Sequence, residues 1–120
     1  MRNPQTIICD IDGCIFEHYG DLSKSLTGDG NLLKGVAEKF KEWEAEGCNI
    51  ILITGRPEVY REKTLKQLRS FGLPFDQLVM GVKNYPRHLI NDIKPNGKLS
   101  AYAYNLDRNE GLKDFSLVKT

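Results

Sequence analysis

No apolar run in these 120 residues comes near the roughly 18 that a membrane span needs; the longest are of the size of Ile50–Ile53. Cysteine is scarce. Cys9, Cys14 and Cys48 show neither Cys-x-x-Cys spacing nor a His-x-x-x-His companion, which excludes a zinc site built from Cys and His. An odd thiol count, with no secretory leader legible in Met1–Gln5, gives the expectation of reduced thiols and a cytoplasmic protein. Charge of one sign is missing too. Seventeen Lys and Arg against sixteen Asp and Glu leave a net charge of +1, so neither nucleic acid nor an anionic membrane is an expected partner. Repeats and low-complexity tracts are absent. What is there, 40% apolar and 28% charged residues with 11 Gly and 5 Pro, is the composition of one ordinary globular domain spanning 1–120.

Thr6-Ile7-Ile8-Cys9 is apolar without alternation and runs into Asp10-Ile11-Asp12-Gly13, which predicts a strand buried in a parallel sheet. Residues 17–30 read as a loop. Asn31 is the predicted cap of a helix with inward Leu33, Val36, Ala37, Phe40 and Trp43, closed by Gly47. Asn49–Thr54 is a second strand. Pro57 opens a helix that Gly72 stops, with Tyr60 or Thr64, Leu65, Leu68 and Phe71 facing inward. Gln77–Met80 predicts a third strand and Arg87–Ile93 a fourth. Pro95-Asn96-Gly97 signals a hairpin into a strand over Leu99–Leu106, where Tyr102 and Tyr104 suit packing or a subunit contact. Strand, helix, strand, helix, strand is the order of an α/β protein: a Rossmann-like three-layer α/β/α sandwich around a mainly parallel sheet.

In such sheets ligands gather at the carboxyl ends of the strands. Four positions lie there: Asp10 and Asp12 after the first strand, Thr54 after the second, and Asn91-Asp92 in the fourth. Residues i and i+2 of an extended chain point the same way, so the two aspartates approach one point. Like charges that close shift one another's titration or recruit a cation, and carboxylates at strand ends suit Mg²⁺. Asp92 would supply a further oxygen. An EF-hand is excluded, because the sixth loop position is Ile15 rather than Gly and the twelfth is Asp21 rather than Glu.

Ile7-Ile8-Cys9-Asp10-Ile11-Asp12-Gly13 and Ile51-Leu52-Ile53-Thr54-Gly55-Arg56-Pro57 resemble the first two motifs of the haloacid dehalogenase superfamily, and Leu89-Ile90-Asn91-Asp92 resembles its fourth. The resemblance covers residues 7 to about 95. It implies that Asp10 is the nucleophile that becomes an aspartyl phosphate and Asp12 the general acid and base. Thr54, with Gly55 and Arg56, would bind the phosphoryl group. Asp10, Asp12, Asn91 and Asp92 would hold Mg²⁺, which offsets the repulsion between a carboxylate and a phosphate. Lys83 is the third-motif candidate, with Lys94 and Arg87 as rivals. Arg56 either faces substrate or supports the Pro57 region. His18 reads as a bystander and Trp43 as core.

Two departures stand out: Cys14 follows the first-motif glycine, and Asn91 replaces one of the two acids common in the fourth motif. Residues 13–30 leave room for a flap only, and 72–76 for nothing, so the chain resembles the capless members. An open site implies a large substrate or a neighbouring subunit as its cover. The layout is similar to that of the 3-deoxy-manno-octulosonate 8-phosphate phosphatases, which form tetramers, and this analogy implies a small sugar phosphate or similar metabolite as substrate and a homo-oligomer. The alternatives are a phosphatase for a phosphoprotein or nucleic-acid end, and a non-catalytic binder of phosphorylated ligands.

Overall fold

The computed structural model describes residues 2–27 and 30–119; positions 28 and 29 of the predicted loop lie outside it. In chain order come β1 (Thr6–Asp10), α1 (Leu22–Thr27), α2 (Val36–Ala45), β2 (Asn49–Ile53), a 3₁₀ turn (Glu58–Tyr60) that leads into α3 (Arg61–Ser70), and β3 (Gln77–Val79). The three strands form one parallel sheet in the order β1-β2-β3. The protein is thus of the α/β class that its uninterrupted apolar strands predict.

Register decides which residues are core. Ile7 pairs with Ile50, and Cys9 with Leu52, which pairs in turn with Leu78. Ile7, Ile50, Leu52 and Leu78 are buried on that face together with Val36, Phe40 and Trp43 of α2 and Leu68 of α3. The Phe40 and Trp43 rings lie 5.1 Å apart and tilted, a pairing that adds about 0.5–1.5 kcal/mol to their burial. The opposite face carries Ile8, Ile51, Ile53 and Val79, and Ile8 is 50% exposed.

Three local outcomes differ from the sequence expectation. The helix expected after Asn31 is α2 and starts at Val36, because residues 31–33 are used elsewhere. Glu17 N donates to Asn31 O (2.9 Å) and Leu33 N to Ile15 O (2.9 Å), and the Asn31 amide reaches Glu17 and Tyr19 instead of capping. Within the predicted loop, Asp21 Oδ1 accepts from Ser23 N (2.9 Å) and starts α1.

The third difference is larger. The predicted strands over Arg87–Ile93 and Leu99–Leu106 do not form, and residues 83–100 are exposed throughout. A strand exists only where another strand answers its backbone, and among the described residues no strand does so here. The turn survives: Gly97 N donates to Lys94 O (2.8 Å), Lys94 N to Lys98 O (3.0 Å), and Ser100 Oγ to Asp92 O (2.6 Å) across it. This arm raises the radius of gyration to 14.8 Å, above the about 13.6 Å expected of a compact chain of this length.

Beyond the arm the chain returns to the core. Leu112 is buried beside α2, and its N–H donates to Lys34 O (2.7 Å). Gly35 and Gly111 both have positive φ, and a Cβ on either would collide with the other segment's backbone. Only two glycines allow that approach.

Candidate functional site at the carboxyl rim of the sheet

β1 ends in Asp10, whose register partner on β2 is Ile53, so Thr54 lies one residue beyond it on a strand about 4.8 Å away. After Asp10 the chain turns sharply. Cys14, Ile15 and Phe16 all donate their N–H to Ile11 O, and Gly13, at φ +94°, donates to Phe16 O (2.7 Å). That turn faces Asp10 and Asp12 toward the same rim.

The two aspartates have different surroundings. Asp10 is half-buried; its Oδ1 accepts from Ile11 N (2.9 Å) and its Oδ2 from Arg87 (3.3 Å). Asp12 accepts two bonds from one guanidinium, Arg56 Nε at 3.0 Å and Nη2 at 2.8 Å. Arg56 is buried, with its side chain 1% exposed, and its Nη1 reaches Thr64 Oγ1 (3.1 Å) and Gln67 Oε1 (2.6 Å). Gln67 Nε2 continues to Ser25 O (2.9 Å) in α1. One arginine therefore fastens the turn after β1 to α3 and, through Gln67, to α1, and among the described residues no buried side-chain polar atom lacks a partner.

Arg56 thus faces Asp12 and α3. This is a third role beside the two the sequence leaves open, facing substrate or capping the Pro57 helix region: the side chain holds the rim together. Thr54 is buried; its Oγ1 accepts from Arg56 N (3.1 Å), and its carbonyl takes Val82 N (2.9 Å). Gly55 lies beneath Asn84: a Cβ there would come within 2.6 Å of Asn84 Oδ1. Lys83 is exposed, while Arg87 contacts Asp10. Asn91 and Asp92 lie on the exposed arm. Among the described residues no three His, Cys, Asp or Glu side chains gather to hold a metal, so the expected set of Asp10, Asp12, Asn91 and Asp92 is not assembled within this chain. Its fourth-strand half is missing from the sheet.

Two thiols lie near Asp10 in sequence, Cys9 before it and Cys14 after it. Cys9 donates to Asp10 O (3.2 Å); burial, then the neighbouring Cys14 and Asp10, raise its pKa far above the ordinary value. Burial and Asp10 also raise Cys14, against an opposing pull from Arg87. Both remain thiols at neutral pH. Sequence reasoning missed Thr64 and Gln67 as partners of Arg56. The available signal was two polar side chains on the otherwise apolar inward stripe of α3.

No family model matches the chain. It is similar to a chain of the Pnkp1/Rnl/Hen1 complex, with 33% identity and a TM-score of 0.58 over 71% of this protein and 30% of that one. A second structure, of the Pnkp1/Rnl/Hen1 RNA repair complex, gives 32% and 0.57 over 70% and 28%. A crystal structure from Vibrio cholerae shares the fold at 15% identity, with a TM-score of 0.50 over 77% of this chain and 85% of that one. Among curated proteins, the Drosophila melanogaster protein retinal degeneration B is 28% identical over 109 residues. These are 90% of this chain but 8% of that protein, so the chain spans a small part of the relative it matches. No helix of the described residues is long and apolar enough to cross a membrane.

Proposed function

We propose that this protein is a phosphomonoester hydrolase of the haloacid dehalogenase type. One observation carries the reading: Asp10 and Asp12 leave β1 at the carboxyl rim directly beside the Thr54-Gly55-Arg56 end of β2. Likeness to two chains of the Pnkp1/Rnl/Hen1 assembly at 32–33% identity supports it. A cytoplasmic setting with reduced thiols is part of the same proposal.

Asp10 is the nucleophile. An oxygen of its carboxylate attacks the phosphorus, the phosphorus–alkoxide bond breaks, and an aspartyl phosphate forms. Arg87, already against Asp10, supplies positive charge where the two anions meet. Asp12 gives a proton to the departing alkoxide and later takes one from the water that hydrolyses the acyl phosphate. Both of its oxygens accept from Arg56, so this role requires one of those bonds to open when substrate arrives. Mg²⁺ belongs to the same proposal: Asp10 would hold it and it would offset the repulsion between carboxylate and phosphate, although among the described residues no three carboxylates gather, and no step here is routed through the metal.

Asn84 over Gly55 and Arg87 on Asp10 cover the rim only in part, which fits a small sugar phosphate sealed in by another subunit. A second reading, a phosphate at an RNA end, draws on the RNA repair complex that one of the similar structures represents. The test is hydrolysis of an aryl phosphate, sugar phosphates and end-phosphorylated oligonucleotides, with Mg²⁺ or a chelator, beside Asp10→Asn. Turnover lost in the variant is expected. Turnover retained by Asp10→Asn refutes the covalent mechanism, and the better substrate panel decides between the two classes.

A further inference from the structure

We propose that the arm over residues 83–100 pairs with the open edge of β1 in a second copy of this chain, and that this exchange brings the second copy's Asp92 to Asp10. The Asp92 part rests on the phosphatase reading; the exchange does not.

The edge and the apolar run of the arm each lack a strand partner; the arm's own bonds are the Lys94–Lys98 turn, Ser100 Oγ to Asp92 O (2.6 Å), and Arg87 to Asp10 and Val82 O. β1 is the terminal strand of the sheet, and among the described residues no backbone hydrogen bond from outside the sheet reaches 6–10. Such an edge is a template for another strand. The arm supplies one with an apolar run, Leu89 and Ile90, whose side chains are 62% and 91% exposed. Apolar side chains so placed signal a missing contact. If Asp92 is set opposite Asp10 in a parallel pair, Ile90 falls opposite Ile8, itself 50% exposed, and Leu89 opposite Ile7. Both exposed isoleucines then lie on one face, as cross-strand pairing requires.

The chain cannot make this pair with itself. Arg87 already stands at the carboxyl rim, 3.3 Å from Asp10. A parallel strand that ends at that rim has to start at the other end of the sheet, so Arg87 cannot lead into one. Residues 80–86, seven in all, would also have to carry the chain from β3 back along the sheet and past both other strands. A parallel crossover takes about a dozen or more. A second copy removes both obstacles, and the reciprocal exchange closes as a two-fold dimer.

Light scattering on the intact protein should give at least twice the 13.6 kDa chain mass, and Ile90→Pro should yield a monomer with unchanged circular dichroism. Proline removes a backbone donor at a residue that is solvent-exposed within the chain. A monomeric wild type, or a dimer that withstands Ile90→Pro, overturns the exchange. With the native cysteines changed to alanine, oxidised Ile8→Cys/Ile90→Cys should migrate as a covalent dimer. Monomer-sized disulfide product means the arm folds onto its own edge, and no disulfide means no pairing; either overturns the proposal.

Co-expressed Asp10→Asn and Asp92→Asn chains then test the shared site. Random pairing makes half of the dimers mixed, and one of the two sites in each mixed dimer holds both aspartates, so about a quarter of wild-type activity returns. No recovery, or full activity in Asp92→Asn alone, removes Asp92 from the site. A wild type without phosphatase activity sinks the functional reading, while mass and disulfide still decide the exchange.

Discussion

Changing Arg56 to methionine tests whether this side chain binds the rim together or waits for substrate. The guanidinium is buried and makes four hydrogen bonds, two to Asp12 and one each to Thr64 and Gln67. Methionine fills much the same volume and makes none of them. Removing one partner of a buried ion pair costs about 3–5 kcal/mol, chiefly because the other charge stays desolvated. The Asp12 side chain keeps 18% exposure, which places the expected loss near the lower bound, about 3 kcal/mol. For a chain of this length the unfolding entropy converts that to a fall in Tm of about 12 °C. Urea denaturation followed by circular dichroism reads the loss directly, with an unchanged m-value as the sign that the folded state keeps its extent. The pair Asp12→Asn/Arg56→Met should regain part of it, since the buried charge is gone. A loss below about 1 kcal/mol in Arg56→Met, or a double variant no better than the sum of the singles, refutes the account of Arg56 as the fastening between the turn after β1 and α3.

Gly111→Ala should cost at least about 2 kcal/mol, since a side chain at φ +81° is strained and its Cβ meets the Lys34 backbone; thermal melts check it, and a neutral variant would mean the tail is not seated on α2. Asp10→Asn should leave stability within about 1 kcal/mol of wild type, because its pair with Arg87 is one-third exposed on both sides, while phosphatase turnover disappears. Cys9 and Cys14 have folded pKa values raised from the ordinary 9.0, so their protonated forms favour the fold. The sign follows from linkage: this stability is complete below pH 9, and it falls as pH rises past 9, where the unfolded chain releases thiol protons that the folded chain keeps. Denaturation midpoints between pH 8 and 10.5 should decline more in wild type than in Cys9→Ala. Native-state alkylation at pH 8, read by mass spectrometry, should find Cys9 slower than in urea.

The strands were legible because unbroken Ile, Leu and Val runs fit a parallel sheet and little else, although one face of it leaves Ile8 and Val79 exposed. Pro57 and Gly72 likewise bracketed the turn and helix between β2 and β3, with Gly72 at φ +67° as the stop. The aspartates at the end of β1 could be picked out by position alone. The start of α2 could not, because Asn31 is drawn to Glu17 and Tyr19 by contacts that no local rule contains. Arg56 hid for a related reason: its partners lie 44 residues before it and 8 and 11 after it, and only the folded helix brings them together. The Arg87–Ile93 segment has the composition of a strand and lies outside the sheet, since composition supplies a strand's side chains but not its partner.

The interlock of Gly35 with Gly111 sets a schedule for the chain during synthesis. Val36 and Leu112 share one core but are 76 residues apart (112 − 36). At about 5–20 residues per second, some 4–15 s pass between the two being made. Throughout that interval the nascent α2 holds Val36, Phe40 and Trp43 without the tail that seals them. The ribosome-bound intermediate is therefore a natural client for chaperones, and a sequence change that slows translation after residue 100 lengthens its exposure without altering the finished protein.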